Sequence, residues 1–281
     1  MECVINLSEG RDTARLRTLR SAAGGCLLDA HSDPHHNRTV LTLAGDESRL
    51  WSAATSVARA AVSCLDLRAH HGAHPRIGVL DVVPWVDLDH PSAPFTPASL
   101  QARDRFATWA AEELCLPCFT YGPERSLPEI RRRAWRGLEP TIGPGRPHPT
   151  AGAVAVGARG VLVAYNLWLS DPDPVQARRI AKAVRRLSLR TLGLRVGQRA
   201  QVSCNLVDPS ELGPAAAYDL VASETAVAGA ELVGVLPESV LRPIPARRWA
   251  QLDVGPGRTI EARLRRSGID DLASSRDCCD C

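Results

Sequence analysis

Residues 39–65 read TVLTLAGDESRLWSAATSVARAAVSCL. The first five, Thr39-Val40-Leu41-Thr42-Leu43, have the β-branched richness of a strand. From residue 48 to 65 the apolar side chains return at the three-and-four spacing of an amphipathic helix, with Ser48 as the expected N-cap. Upstream, residues 3–7 are a short apolar run. Residues 12–23 have helical spacing at Ala14, Leu16, Leu19, Ala22 and Ala23, and residues 26–29 are a second short run. Downstream, residues 77–86 are apolar again. The order is β-α-β-β-α-β.

The second half repeats it. A strand is expected over 160–166 and a helix over 173–189, opened by Pro174. Strands follow at 192–196 and 200–206, then a helix over 215–228 and a strand over 231–236. Two successive β-α-β-β-α-β units predict an α+β fold. It has two consecutive ferredoxin-like subdomains, each an antiparallel sheet covered on one face by two helices, with a cleft between them. The expected boundaries are 1–160 and 161–245. A C-terminal extension, 246–281, is expected to be partly disordered and to hold one short helix over 259–266. Between the units, a helix is expected over 98–114, a strand over 118–121 and an Arg-rich helix over 128–137. Residues 141–152 are too rich in Gly and Pro to sustain a helix or central strand.

The chain has 281 residues, 44% of them hydrophobic, enough for a sizeable core. No apolar run approaches the roughly 20 residues of a membrane span. The first residues lack the basic and apolar regions of a secretory signal, so a cytoplasmic protein is expected. A net charge of +3 is too small to imply a nucleic-acid partner. Nine cysteines, several inside apolar runs (Cys3, Cys26, Cys64, Cys204), read as reduced thiols. Cys115 and Cys118 have CxxC spacing, but a helix runs into a strand there, whereas a redox pair usually opens a helix. Cys278, Cys279 and Cys281 crowd the C-terminus.

The densest polar cluster is His70-His71-Gly72-Ala73-His74-Pro75-Arg76-Ile77-Gly78, on a loop ahead of a strand. Imidazole titrates near neutrality, so it can take and return a proton in one turnover. A zinc site is disfavoured, because Gly72 and Pro75 interrupt the helix that His70 and His74 would need to share a metal. No metal is expected. A second polar segment is His31-Ser32-Asp33-Pro34-His35-His36-Asn37-Arg38-Thr39, in which Asn37 and Arg38 are placed to reach a carboxylate.

Several segments together resemble one family. Val4-Ile5-Asn6-Leu7-Ser8-Glu9-Gly10 is similar to its V-P-N-F-S-E-G. Asp33-Pro34-His35-His36-Asn37-Arg38-Thr39-Val40 resembles D-P-D-H-N-R-T-V, and residues 71–78 resemble K-G-E-H-P-R-M-G. Residues 149–159 are similar to P-T-A-G-A-T-V-V-G-A-R. Residues 164–166, 200–206 and 231–237 resemble A-F-N, A-Q-V-S-x-N-L and E-I-V-G-L-I-P. These motifs keep the order and nearly the spacing of the glutamate formiminotransferase family.

That resemblance implies transfer of a formimino group from N-formimino-glutamate to tetrahydrofolate, a one-carbon step of histidine metabolism. It implies His74 as the catalytic residue. It implies folate contacts along Gly143, Pro144, Gly145, Arg146, Pro147, His148, Pro149, Thr150, Ala151 and Gly152. It also implies a homodimer acting only on small molecules. The substrate carboxylates are expected to meet Asn37, Arg38 and Arg76, with Arg146 a further candidate.

The sequence departs from the family in four places. His31 replaces an acidic residue, Ala73 replaces a Glu, the stretch from 122 to 143 is short, and Trp168 replaces a smaller residue. These departures leave two alternatives: formimino transfer involving glycine or another amine, and a non-catalytic metal-binding module.

Overall fold

The computed structural model describes residues 1–91 and 93–268. The C-terminal cysteine trio lies outside the described residues. The first unit runs β1 (Glu2–Leu7), α1 (Thr13–Ala23), β2 (Leu27–Asp33), β3 (Arg38–Ala44), α2 (Glu47–Cys64) and β4 (Leu80–Val86). A connecting region follows, with α3 (Pro97–Leu114), β5 (Cys118–Tyr121), α4 (Leu127–Arg133) and β6 (Val154–Ala158). The second unit is β7 (Val163–Leu169), α5 (Pro174–Ala183), β8 (Leu189–Val196), β9 (Arg199–Leu206), α6 (Pro214–Ala222) and β10 (Val227–Val233). Three short helices close the described chain: α7 (Glu238–Leu241), α8 (Trp249–Leu252) and α9 (Ile260–Ser267).

The strand orders β2-β3-β1-β4 and β10-β7-β9-β8 are the same arrangement: second, third, first and fourth strand of each unit. All pairings inside both four-stranded sets are antiparallel. The two ferredoxin-like units are therefore present.

Period-two alternation sorts the side chains. In β1, Cys3, Ile5 and Leu7 are fully buried in a core with Leu19, Leu50 and Val57 of α1 and α2. In β7, Val163, Tyr165, Leu167 and Leu169 enter a separate core with Ile180 and Val221. The alternate residues of β1 and β7, among them Asn6, Asn166 and Trp168, are left for the opposite faces. Those faces hold the polar groups described below.

The first sheet is larger than the sequence suggests. β6 joins the outer edge of β4 in parallel, and β5 joins β6 in parallel, giving six strands. The crossover through α3 brings β5 back in the direction of β4, as a helical connection between parallel strands does. α2 begins at Glu47, and its cap is Asp46, which accepts from the Arg49 amide at 2.9 Å; the expected cap Ser48 lies inside the helix. α6 stops at Ala222 because the chain turns there, with the Glu224 amide donating to the Val221 carbonyl at 3.0 Å. β10 accordingly starts at Val227, earlier than expected. Among the described residues no helix is long and apolar enough to cross a membrane.

β6 fits because Gly157 has no side chain. A Cβ there would lie 1.9 Å from the Tyr121 ring, which covers the glycine from the neighbouring strand. Gly157→Val is expected to cost at least about 1–3 kcal/mol, the usual penalty for overpacking. Urea unfolding measures it, and an unchanged midpoint would show that this ring contact is not tight.

Candidate active site

Asn37 organises the loops at one end of the first sheet. It sits in the left-handed region (φ 49°), which Asn tolerates better than most residues. Its Oδ1 accepts from the Gly10 amide at 2.8 Å, and its Nδ2 donates to the His71 carbonyl at 3.0 Å. The amide thus ties the β1–α1 loop, the β2–β3 turn and the histidine loop together. The histidine loop runs hard against the turn, since a Cβ on Gly72 would lie 2.2 Å from the His36 carbonyl oxygen. His70 reinforces the contact by donating from Nε2 to the Asn37 carbonyl at 2.8 Å.

His74 is half-buried at this junction. Its Nδ1 donates to the Pro75 carbonyl at 2.7 Å, and its Nε2 meets the Arg38 guanidinium. A guanidinium has only donors, so Nε2 must present its lone pair and the ring must be neutral. Burial is the largest cause holding the imidazole uncharged, and the Arg38 charge is the next; together they push its pKa down to about 2. Arg38 also donates to Asn6 Oδ1 on β1. Burial lowers the Arg38 pKa to about 10, opposed by the nearby Asp81 carboxylate.

Asp81 itself is taken by Arg131 of α4 in a two-pronged ion pair, and its Oδ1 accepts from the Ile77 amide at 2.8 Å. Arg76 donates to the carbonyls of Gly72 and His74 and so holds the loop's shape.

The second sheet faces this junction. Across the cleft, His36 Nε2 lies 3.4 Å from Gln201 Oε1 of β9. The His36 ring stands edge-on to His74, with centroids 6.0 Å apart. A second bridge joins His31 Nε2 to Glu231 Oε1 of β10 at 3.4 Å, and the other Glu231 oxygen accepts from Asn166 Nδ2 at 3.1 Å. Burial opposes charge on Glu231, but the bonds from His31 and Asn166 outweigh it and hold its pKa below the usual carboxylate value.

Four buried polar atoms at this junction have no protein partner: Arg38 Nε, His36 Nδ1, His70 Nδ1 and Gln201 Nε2. Leaving such a group unsatisfied costs about 1–3 kcal/mol. Three of them, on Arg38, His36 and Gln201, belong to side chains linked through His74 and the His36–Gln201 contact between the two sheets, which fits a site that receives a polar ligand.

The Gly/Pro segment comes only partly into this region. Its far end is closed by reciprocal bonds between His148 and Gly152 (2.8 and 3.0 Å) and by the Leu67 amide on the Thr150 carbonyl at 2.7 Å. His148 Nδ1 accepts from the Ala151 amide at 3.0 Å. Gly152 bridges to Gly78, at the foot of the histidine loop. Gly143 and residues 145–147, Arg146 included, are exposed, and Pro144 and Pro149 lie along the same strap. The Gly152 end of the strap thus lies against the foot of the histidine loop, and its middle is exposed.

A model of the formiminotransferase domain, N-terminal subdomain, matches residues 1–159. The chain belongs to the formiminotransferase family. The glutamate formimidoyltransferase of Streptococcus pyogenes serotype M1 is 33% identical, over 86% of this chain and 90% of its own. The enzyme of that name from Thermoplasma acidophilum is 32% identical, over 95% and 98%. The formimidoyltransferase-cyclodeaminase of Sus scrofa is 33% identical over 86% of this chain, which matches 51% of that longer protein.

In this formiminotransferase-family chain, sequence reasoning placed His74, Arg38 and Arg76 together and the structure brings them into contact. Asn37 is there too, with its amide spent on the loops. Asn6, Asn166, Gln201 and Glu231 stand in the sequence only as letters of the motifs, and His36 only as one of the histidines considered for, and disfavoured as, a metal site. The available signal was polarity at alternate positions of otherwise apolar strands.

The His74 imidazole is expected to stay neutral through the range near pH 6.5 where an ordinary histidine titrates, and nitrogen NMR of the ring reads this directly. The sign for stability follows. Below about pH 6.5 the unfolded chain binds a proton that the folded ring refuses, so stability present above that pH is lost as the pH falls towards the folded value of about 2. His74→Asn should flatten that part of the stability profile. A ring that titrates normally would contradict the neutral, Arg-capped geometry.

Proposed function

We propose that this chain is a glutamate formimidoyltransferase. It moves a formimino group from the amino nitrogen of N-formimino-glutamate to tetrahydrofolate and releases glutamate. The observation that carries the reading is the neutral His74, its Nε2 lone pair held at a polar cleft between two sheets.

The residues fit both substrates. Arg38 is a half-buried cation whose guanidinium contacts are a neutral ring and an amide oxygen. Both substrates carry carboxylates, which a guanidinium binds in matched geometry. Tetrahydrofolate supplies a secondary amine, N5, as the nucleophile. In the transfer one C–N bond forms at N5, the bond to the glutamate nitrogen breaks, and one proton passes from the first nitrogen to the second. His74 Nε2 takes that proton and returns it, so the imidazole ends unchanged. Arg38 caps Nε2 in the free cleft. A substrate carboxylate that draws the guanidinium aside uncovers the lone pair when there is something to deprotonate. The two sheets hold the reactants in one orientation, which supplies much of the rate.

A second reading keeps this chemistry and changes the amino acid. His31 places an imidazole against Glu231 inside the cleft, where the family resemblance led us to expect an acidic residue. That favours a formimino donor or acceptor other than the glutamate compound, such as glycine. In either case we propose a cytoplasmic homodimer acting on small molecules.

The test is an assay of glutamate release from N-formimino-glutamate with tetrahydrofolate. His74→Ala is expected to lower the rate by about 10²–10⁴-fold, the usual worth of a positioned general acid–base. Equal rates would remove His74 from the mechanism. A wild-type protein that melts at the same temperature with and without tetrahydrofolate would count against the whole reading.

A further inference from the structure

We propose that Arg38, His36 and Gln201 form a carboxylate receptor for a glutamyl group, assembled from both subdomains. This rests on the transfer reading above and assigns a subsite to it. Arg38 comes from β3, His36 from the β2–β3 turn and Gln201 from β9.

Positive charge is in excess at this junction. Around His74 lie Arg38, Arg76 and Arg131. Asp81 is committed to Arg131, and Arg76 is spent on two backbone carbonyls. The Asp33 carboxylate caps the amides of His35 and His36 at 2.7 and 2.8 Å. Among the described residues no carboxylate contacts Arg38. A half-buried cation left in this state invites an anion.

The unfilled valences agree. Arg38 Nε and Gln201 Nε2 are donors, buried and without partners, and donors are what a carboxylate needs. Gln201 is fully buried, on a strand where its neighbours Ala200 and Val202 are also fully buried. Its Oε1 faces His36 Nε2, which fixes the amide so that Nε2 points away from that contact. The third open atom, His36 Nδ1, accepts a hydrogen bond when the ring is neutral and Nε2 carries the proton. Two donors beside one acceptor suit a carboxylate whose adjacent nitrogen bears a hydrogen, which is the α-end of an N-substituted amino acid.

Tetrahydrofolate also ends in a glutamyl group, so two ligands share this chemistry. Kinetics on Gln201→Glu separates them. The substitution keeps the oxygen that faces His36 and replaces the free donor with a negative charge. The expected result is a rise in KM for N-formimino-glutamate of at least about tenfold, with kcat and the KM for tetrahydrofolate little changed. Weaker binding of glutarate, measured by calorimetry, should accompany it. A rise confined to tetrahydrofolate would support the receptor and assign it to the folate tail. Unchanged constants for both ligands, or an equal loss for both, would overturn it.

Gln201→Leu is the second variant, for the case in which the buried charge of Gln201→Glu prevents folding. It should also raise KM, and because it removes one unsatisfied donor together with the acceptor that faces His36 Nε2, its melting temperature should stay near that of the wild type. A lower melting temperature with unchanged KM would mean that the amide is structural. Wild-type protein that binds glutarate yet transfers no formimino group would sink the reaction proposed above and leave the receptor standing. Active wild type with an indifferent Gln201→Glu would sink the receptor alone.

Discussion

A guanidinium with no carboxylate of its own presses on the one imidazole that its approach keeps neutral. The contact between Arg38 and His74 constrains everything around it. Arg38 can stay there only because Asn6 on the adjacent strand takes its other arm. His74 can stay only because Pro75 fixes the second ring nitrogen. The loop can deliver the ring only because Asn37 and Gly72 seat it on the β2–β3 turn. Three loops and two strands thus converge on a contact that does nothing for hydrophobic stability. Groups of this kind persist where a ligand completes them.

The two sheets divide the labour. Each has an inward face that packs its own core, so each subdomain meets its folding requirement separately. The opposite faces are free to carry polar side chains, and those are what meet across the cleft. His36 reaches Gln201, and His31 reaches Glu231. Polar contacts between preformed units are weaker and more adjustable than a shared apolar core. Such an interface can therefore exchange partners when a charged ligand enters.

Much of this was legible in the sequence. The two β-α-β-β-α-β patterns were visible because β-branched and apolar residues crowd β3 and apolar residues recur every three to four positions in α2. β6 escaped notice because Val154–Ala158 is small and follows a Gly/Pro segment, so nothing in its composition announces a strand. Its pairing with β4 is a tertiary fact. Ser48 was expected as the cap and Asp46 is the cap, because both are good capping residues two positions apart and only the backbone decides which one turns. At the site, His74 and Arg38 stood out by residue type and by family resemblance. Gln201 and Glu231 did not, since a polar residue in a strand reads as solvent-facing until the facing sheet is known.

The parallel strand β6 has a consequence for synthesis on the ribosome. Once residue 86 has emerged, the four strands of the first unit can pair, but the outer edge of β4 stays bare until Val154–Ala158 follows. Apart from Asp81 the strand is apolar from Leu80 to Val86, and every residue in it is buried in the finished molecule. An uncovered edge of this kind is a template for pairing with another chain. During that interval Pro84, which has no amide hydrogen to offer, and the Asp81 carboxylate are the features of the strand that discourage a neighbouring copy from adding a strand of its own.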